Sequence, residues 1–237
     1  MKEKGTLYLI PTTLGDTAET ADVIPVKINQ VINTIDEYIV ENEKSARHYL
    51  KKIGIQKPLQ EIILHPLNQH TNAHEISGYL KSISQGKNIG IISEAGCPGV
   101  ADPGAEVVKL AHSNNIKVVP LVGPSSILLA LMASGFNGQS FTFNGYLPKE
   151  RGERIKKIKE LEQLVQRKNQ TQLFIETPYR NAHLLDDIIT NCDSQTKLCI
   201  ACDITLPTEF IKTKSISEWK KQIPDINKRP TLFLIYK

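Results

Sequence analysis

The alternation of two kinds of segment constrains the fold of this chain more than any other feature. Short apolar runs rich in β-branched residues recur along the 237 residues, and amphipathic segments with helical spacing lie between them. Nine runs are predicted to be strands: Leu7–Ile10, Tyr38–Glu41, Ile62–His65, Ile89–Ser93, Lys117–Leu121, Phe141–Phe143, Gln172–Glu176, Leu198–Asp203 and Leu232–Tyr236. Strands that alternate with helices indicate βαβ units, which build largely parallel sheets.

The helices are predicted from apolar residues that recur three and four positions apart. One such segment carries Ile155, Ile158, Leu161 and Val165. Gly86 follows another and is expected to end its helix in the left-handed conformation. Ser125 suits the N-cap of a third helix over Ile127–Ser134. Each of these signals places a helix between two predicted strands.

The chain is predicted to fold as two α/β domains with mostly parallel sheets and a cleft between them. Five strand–helix units end near Pro120, so the domains are expected to span residues 1–121 and 122–237. The charges divide in the same way, since residues 1–120 carry 12 basic and 13 acidic side chains and residues 121–237 carry 17 and 12. An anionic partner is therefore expected to bind mainly to the second half.

The sequence also predicts where the protein works. It contains no run of about 18 apolar residues, so no membrane span is expected. The segment Met1–Pro11 lacks the apolar core and cleavage site of a secretory signal. Four cysteines in a chain of this length do not indicate a disulfide framework. These features favour a reduced, cytoplasmic location without membrane association.

The most informative loop is SEAGCPGVADPG, residues 93–104, which follows a predicted strand. Its three glycines and two prolines exclude a regular helix or strand. Open α/β sheets bind ligands at the carboxyl ends of their strands, so this loop is expected to contact one. Glu94 lies at the strand end, where it could accept hydrogen bonds from ribose hydroxyls. An idle surface loop is the alternative interpretation.

Two further loops repeat this design. Residues 11–15 and 122–126 follow other predicted strands and are also rich in glycine, proline and hydroxyl side chains. The sequence has neither G-x-x-x-x-G-K-[ST] nor G-x-G-x-x-G after a strand, which are the usual phosphate-binding patterns. Three such loops at one sheet edge therefore predict a nucleoside-type cofactor that carries little or no phosphate.

Five blocks in a fixed order resemble the tetrapyrrole methylase superfamily. They are PTTLG (11–15), SEAGCPGVADPG (93–104), PLVGPSSILLALMASG (120–135), FTFNGYLP (141–148) and FIETPYR (174–180). The resemblance covers essentially the whole chain. It implies two α/β domains, a homodimer, and S-adenosylmethionine bound in the cleft between the domains. It is strongest for members that methylate a cytidine 2′-hydroxyl of ribosomal RNA in the small subunit.

The resemblance also implies which residues contact the cofactor. The positions that match are Pro11, Glu94, Cys97, Pro98, Val100, Ser125 and Ser126. The family motif has Asp at the position of Glu94 and Thr at that of Cys97, so both positions keep a polar or small side chain. No metal site is implied.

A 2′-hydroxyl is a poor nucleophile and benefits from a base within hydrogen-bond reach. Three carboxylates at strand ends are candidates for this catalytic base, namely Glu41, Glu176 and Asp203. Each could instead be a structural carboxylate. Positioning of the reactants supplies much of the remaining rate enhancement in reactions of this kind.

The chain departs from the family in its polar blocks. The replaced positions are Asn42, Lys44, Leu67, Gln69, Cys202 and Leu206. These changes leave two alternatives open beside RNA methylation. One is methylation of a small molecule such as a tetrapyrrole, and the other is a non-catalytic relative that binds cofactor and RNA.

Three other patterns bear on binding. Eight cations and four glutamates lie close together, which predicts either a surface that follows RNA phosphates or a solvated helix face. The cations are Lys149, Arg151, Arg154, Lys156, Lys157, Lys159, Arg167 and Lys168. Cys199 and Cys202 form a C-x-x-C pattern on a predicted strand, and His70 and His74 lack a third ligand. Neither pair predicts a metal site.

Overall fold

A computed structural model describes residues 4–68 and 70–237, and the chain in it divides into two compact units, Met1–Ser125 and Ser126–Lys237. The predicted domain boundary after residue 121 lies in the same loop, between Pro120 and Ser126. Each unit has its own sheet and its own apolar core. The predicted position of a cofactor between the domains stays a prediction.

The first unit contains a five-stranded parallel sheet of order β3-β2-β4-β1-β5. Its strands are β1 (Thr6–Ile10), β2 (Glu37–Val40), β3 (Ile63–Pro66), β4 (Ile89–Ile92) and β5 (Lys117–Pro120). Its helices are α1 (Thr20–Val23), α2 (Val26–Ile32), α3 (Glu43–Lys52), α4 (Ala73–Tyr79) and α5 (Gly104–Ser113). Short 3-10 helices cover Leu59–Glu61 and Lys81–Gln85.

The centre of this sheet is packed so closely that one position requires glycine. A Cβ atom added at Gly90 of β4 would lie 2.7 Å from Ile10 Cδ1 and 2.7 Å from Tyr38 Cδ1. The Tyr38 side chain is fully buried, and its hydroxyl donates to the Ile32 carbonyl over 2.9 Å. Such packing fixes the strands and therefore the loops at their carboxyl ends.

The second unit contains a five-stranded sheet of order β6-β7-β10-β8-β9. Its strands are β6 (Phe141–Tyr146), β7 (Thr171–Ile175), β8 (Lys197–Cys202), β9 (Phe210–Ser215) and β10 (Thr231–Tyr236). Its helices are α6 (Ser126–Ser134), α7 (Arg151–Lys168), α8 (Asn181–Asn191) and α9 (Ile216–Trp219), with a 3-10 turn over Pro178–Arg180.

The second sheet is mixed. β6 and β7 are parallel, whereas β10 runs antiparallel to both β7 and β8, and β9 runs antiparallel to β8. Five of the eight strand pairs in the described residues are parallel, so the prediction of mostly parallel sheets holds for the chain as a whole. The sequence did not predict which pairs of the second sheet are antiparallel.

A buried ion pair joins α7 to α8 in the second unit. Asp187 is 1% exposed and accepts hydrogen bonds from Arg154 Nε (2.8 Å), Arg154 Nη2 (2.6 Å) and Arg151 Nε (2.9 Å). Arg154 is itself 7% exposed. A buried hydrogen bond fixes Trp219 of α9 in the same unit, because its indole N–H donates to the Leu198 carbonyl.

All nine predicted strands are present, and a tenth, β9, was not predicted. Gly86 ends its helical segment with a φ of 90°, as expected for a left-handed C-cap. α6 begins at Ser126, directly after Ser125. Cys199 and Cys202 lie in β8 and are fully buried. In the described part of the chain, no helix is long and apolar enough to cross a bilayer.

Candidate active site

The carboxyl ends of β1, β2 and β4 lie side by side, because both Ile10 and Val40 pair with Ile92. A cavity of about 380 Å³ opens at this edge of the first sheet. Residues that line it include Thr12, Asn42, Ser45, Tyr49, Ser93 and Glu94. Its wall also carries both signs of charge, from Lys44 and from Asp16 and Glu94. A polar cavity of this size suits a small polar ligand.

The three loops predicted to bind the cofactor contact one another. The Thr12 amide donates to the Gly96 carbonyl over 2.9 Å. The Cys97 thiol donates to the Pro124 carbonyl over 3.4 Å, and burial raises the pKa of this thiol. A Cβ atom at Gly123 would lie 2.2 Å from Pro11 Cγ, so only glycine allows the first and third loops to pack here. Pro11, Cys97 and the loop before α6 are thus brought together.

The long loop after β4 is held by its own side chains. Asp102 Oδ1 accepts from the Gly99 amide (2.7 Å) and the Gly104 amide (2.8 Å). Burial raises the pKa of Asp102, and these two hydrogen bonds only partly offset that effect. Gly96 and Gly99 have φ values of 71° and 80°, which glycine adopts without strain. The backbone of this loop is therefore fixed before any ligand binds.

Two predicted site residues in this loop differ in exposure. Pro98 is buried, whereas the Val100 side chain is 50% exposed. Ser125 ends the first unit, and Ser126 begins the second unit and α6. The loop thus exposes Val100 to solvent and keeps its first proline, Pro98, inside the fold.

Glu41 and Glu94 are linked at the ends of β2 and β4. The Glu94 amide donates to the Glu41 carboxylate, and Ser45 Oγ donates to Glu94 Oε2 over 3.2 Å. The pKa of Glu41 is raised above its ordinary value, first because partial burial removes some of the water around the carboxylate, although the residue as a whole is exposed. The negative charges of Asp102 and Glu94 raise it further, and they outweigh the hydrogen bond from the Glu94 amide. Glu41 is therefore a stronger base than an ordinary glutamate.

The helix α3 supports this site and was not predicted. Its buried residue Tyr49 donates from its hydroxyl to the Pro11 carbonyl over 2.7 Å, and burial raises the pKa of Tyr49. The helix also supplies Ser45, the partner of Glu94. Its sequence signal is the set of apolar residues at helical spacing, Ala46, Tyr49, Leu50 and Ile53.

The other two candidate bases lie in the second unit, and an arginine binds each of them. Glu176 Oε1 accepts from Arg180 Nη2 (2.5 Å) and from the Thr177 amide (2.6 Å). Burial alone would raise the pKa of Glu176, but these hydrogen bonds and the Arg180 charge hold it below its ordinary value. Asp203 Oδ2 accepts from Arg229 Nε and Thr208 Oγ1.

Several residues at positions where this chain departs from the family have structural roles. Asn42 is the N-cap of α3, and its side chain accepts from the amides of Lys44 and Ser45. Leu67 and Cys202 are 3% and 0% exposed and belong to the apolar cores. The Leu206 amide donates to the Asp203 carbonyl. Of these replaced residues, Asn42 and Lys44 line the cavity. Gln69 lies outside the described residues.

The capping role of Asn42 leads to a prediction. Replacement by alanine leaves two amides of α3 unpaired and is expected to lower the free energy of unfolding by about 1 kcal/mol. Asn42→Asp keeps the cap and is expected to change stability by only a few tenths of a kcal/mol. Urea denaturation followed by circular dichroism measures both. An equal loss in the two variants would contradict the capping role.

The basic segment, residues 149–168, lies almost entirely in α7, and some of its cations form ion pairs. Arg151 and Arg154 bind Asp187, and Lys157 Nζ lies 2.9 Å from Glu160 Oε1. The remaining cations are exposed: Lys149, Lys156, Lys159, Arg167 and Lys168. All four cysteines are free, and the described residues contain no group of three or more His, Cys, Asp or Glu that could hold a metal.

Comparisons with known proteins identify the family of this chain and match its two-domain α/β fold. A model of the tetrapyrrole (corrin/porphyrin) methylases matches residues 7–219. Ribosomal RNA small subunit methyltransferase I of Xylella fastidiosa is 29% identical over 236 residues, which is 99% of this chain and 82% of that protein. The protein of the same name from Bacillus subtilis is 35% identical over 178 residues, 75% of this chain and 56% of that one. The crystal structure of the methyltransferase CobJ matches with a TM-score of 0.64 at 16% identity, over 98% of this chain and 94% of its own.

The fold is that of a methyltransferase built from two α/β domains with glycine- and proline-rich loops at the edge of the first sheet. The chain belongs to the tetrapyrrole (corrin/porphyrin) methylase family. The predicted family, fold class and enzyme class are thereby confirmed.

Proposed function

We propose that this protein transfers a methyl group from S-adenosylmethionine to the 2′-hydroxyl of a nucleotide in the RNA of the small ribosomal subunit. The observation that carries the proposal is the similarity to ribosomal RNA small subunit methyltransferase I over 99% of the chain. The exposed cations of α7 and the basic second half of the chain support an RNA partner. We also propose a homodimer, as the family resemblance implies, and a cytoplasmic location, as the sequence features favour.

The residues at the edge of the first sheet fit the proposed cofactor. Because Gly123 and Gly96 have no side chains, the three loops can pack closely against one another. The adjacent cavity is polar and of nucleoside size. Glu94 is exposed there, and its carboxylate is suited to accept hydrogen bonds from ribose hydroxyls. The other proposed contacts are Pro11, Cys97, Pro98, Val100, Ser125 and Ser126. When bound, S-adenosylmethionine supplies an electrophilic methyl group on a sulfonium sulfur.

Glu41 is the proposed catalytic base. It follows β2 and adjoins Asn42 and Glu94, which line the cavity, and its raised pKa favours proton transfer from a hydroxyl. Glu176 and Asp203 suit this role less well, because each already shares its charge with an arginine. In this scheme Glu41 would accept the proton of the 2′-hydroxyl while its oxygen bonds to the methyl carbon, and S-adenosylhomocysteine would leave as the carbon–sulfur bond breaks. Ser45 keeps Glu94 in place.

The test is transfer of radiolabelled methyl from S-adenosylmethionine to small ribosomal subunits purified from a strain that lacks this protein. Incorporation that maps to one 2′-oxygen is expected, with none in subunits from the parent strain. Cofactor binding without incorporation would refute RNA methylation and favour a small-molecule substrate or a binding role. Absence of cofactor binding in calorimetry would refute the methyltransferase mechanism itself.

A further inference from the structure

The helix α3 carries five side chains that can donate hydrogen bonds from nitrogen: Lys44, Arg47, His48, Lys51 and Lys52. Two of them are held by backbone carbonyls of the first unit. Arg47 Nη1 donates to the Leu59 carbonyl. Lys52 Nζ donates to two carbonyls before α1, over 2.7 Å in each case. The other three side chains have no acceptor among the described residues, so their donors are available to a ligand.

Two of these three residues line the cavity at the edge of the first sheet. They are Lys44 and His48, and Lys51 is not among the described residues that line it. Lys44 and His48 lie four positions apart in α3, so their side chains share one face of the helix. Both residues are exposed. One wall of the cavity therefore offers an ammonium group beside an imidazole N–H.

The backbone at the start of α3 offers little to an anion, because its donors are already occupied. The Asn42 side chain accepts from the amides of Lys44 and Ser45. The Ser45 hydroxyl is also occupied, since it donates to Glu94 Oε2 over 3.2 Å. An anion in this cavity would therefore be bound by the side chains of α3 and not by the N-terminus of the helix.

Three carboxylates belong to the same region of the first unit. Glu41 precedes the N-cap of α3, and Asp16 and Glu94 line the cavity. They repel an anion that enters, and the repulsion becomes stronger as water is displaced. An anionic ligand therefore requires a cation that is not already paired. Lys44 meets this requirement, because its Nζ forms no ion pair with the described residues.

The chemistry of RNA places an anion next to the reacting group. The 2′-hydroxyl and the phosphate on the 3′-oxygen are attached to adjacent carbons of one ribose. A nucleotide whose 2′-hydroxyl reaches Glu41 therefore brings its 3′-phosphate to the start of α3, where Lys44 lies three positions further along the chain. A phosphate has negative charge and several acceptor oxygens, which suit an ammonium group and an N–H donor on one helix face.

We propose that Lys44 and His48 bind the phosphate on the 3′-oxygen of the target nucleotide and thereby hold its 2′-hydroxyl at Glu41. The inference rests on the proposed function and assigns the part of the substrate that this wall of the cavity recognises. Lys44 supplies the charge that offsets the nearby carboxylates, and His48 supplies a second donor. Both are substrate-binding residues, and Glu41 remains the base.

The first test compares matched ligands by NMR titration of the full chain with S-adenosylhomocysteine present. The ligands are cytidine, cytidine 3′-monophosphate and cytidine 5′-monophosphate. Wild type is expected to bind the 3′-monophosphate about 10-fold more tightly than either of the other two, as a charge-assisted hydrogen bond allows. Lys44→Met keeps the length of the side chain without its charge and is expected to reduce this preference to less than about 3-fold. His48→Ala is expected to reduce the preference by a smaller factor, about 3-fold.

The second test uses methyl transfer to small ribosomal subunits. Lys44→Met is expected to raise the KM for the subunits about 10-fold and to reduce the slope of log KM against log salt concentration by about 1. Lys44→Arg keeps the charge and is expected to keep both values. Lys51→Met removes a cation of the same helix that faces no part of the described cavity wall, and it is expected to behave as wild type.

Three outcomes would overturn the inference while the proposed function stands. They are equal affinities of wild type for the three cytidine ligands, equal losses in Lys44→Met and Lys51→Met, and weaker binding of S-adenosylhomocysteine by Lys44→Met, which would place the lysine on the carboxylate of the cofactor. If wild type methylates no small subunits, the proposed function fails, and the mononucleotide titrations still decide the inference.

Discussion

Asp187→Asn is expected to lower the free energy of unfolding of the second unit by about 3–5 kcal/mol. The substitution preserves the shape of the side chain but removes the charge that compensates Arg154, which is only 7% exposed. A buried cation without its counterion is among the most costly single changes in a protein. Trp219 is the single tryptophan of the chain and lies buried in this unit, so its fluorescence during urea denaturation reports the transition.

The neighbouring residue provides a matched control. Asp186 is 66% exposed on its side chain and lies 3.9 Å from Arg151. Asp186→Asn is expected to change the free energy of unfolding by less than about 0.5 kcal/mol, as is usual for an exposed ion pair. Similar losses in Asp186→Asn and Asp187→Asn would mean that helix α8, and not the buried ion pair, is sensitive to substitution.

Glu41→Gln is expected to reduce methyl transfer by about 10²- to 10⁴-fold while S-adenosylmethionine still binds. The amide cannot accept the proton of the hydroxyl, although it keeps an oxygen for the Glu94 amide. Single-turnover transfer to small ribosomal subunits measures the loss, and calorimetry measures binding. Glu43→Gln removes an exposed carboxylate at the first position of α3 and is expected to keep full activity.

The raised pKa of Glu41 adds a dependence on pH. Only the deprotonated carboxylate can act as a base, so methyl transfer should decrease as the pH falls through this raised pKa. The acidic limb is therefore expected above the ordinary glutamate value, and Glu41→Gln should lose this limb. A wild-type profile that is flat on the acidic side down to the ordinary value would contradict the assignment of Glu41.

The first unit followed from its sequence because its signals are local. Each buried strand is a continuous apolar run, and each of the loops 11–15, 93–104 and 122–126 marks its own position by glycine and proline. In a parallel sheet all these loops lie at one edge, so the pattern also predicted their convergence. The contacts of Cys97 with Pro124, and of Gly123 with Pro11, agree with that prediction.

The second unit was harder to predict because its geometry depends on distant residues. β9 has the sequence FIKTKS, in which only two large apolar residues mark an edge strand that is partly exposed. The direction of β10 relative to β7 and β8 is not encoded in any one strand. The arginine that binds Asp203 is also found only in the fold, since Arg229 is 26 positions away from it.

The middle position of β10 affects the order in which the chain can fold during synthesis. The first unit has all five strands once residue 120 has emerged from the ribosome, so its sheet can close while translation continues. In the second unit β7 can pair with β6 and β8 with β9, but the other edge of each strand stays unpaired until β10, residues 231–236, has emerged. Both strands are rich in apolar residues. The nascent second half therefore passes through a stage in which these strands have unpaired edges, and such edges are prone to aggregation unless chaperones cover them.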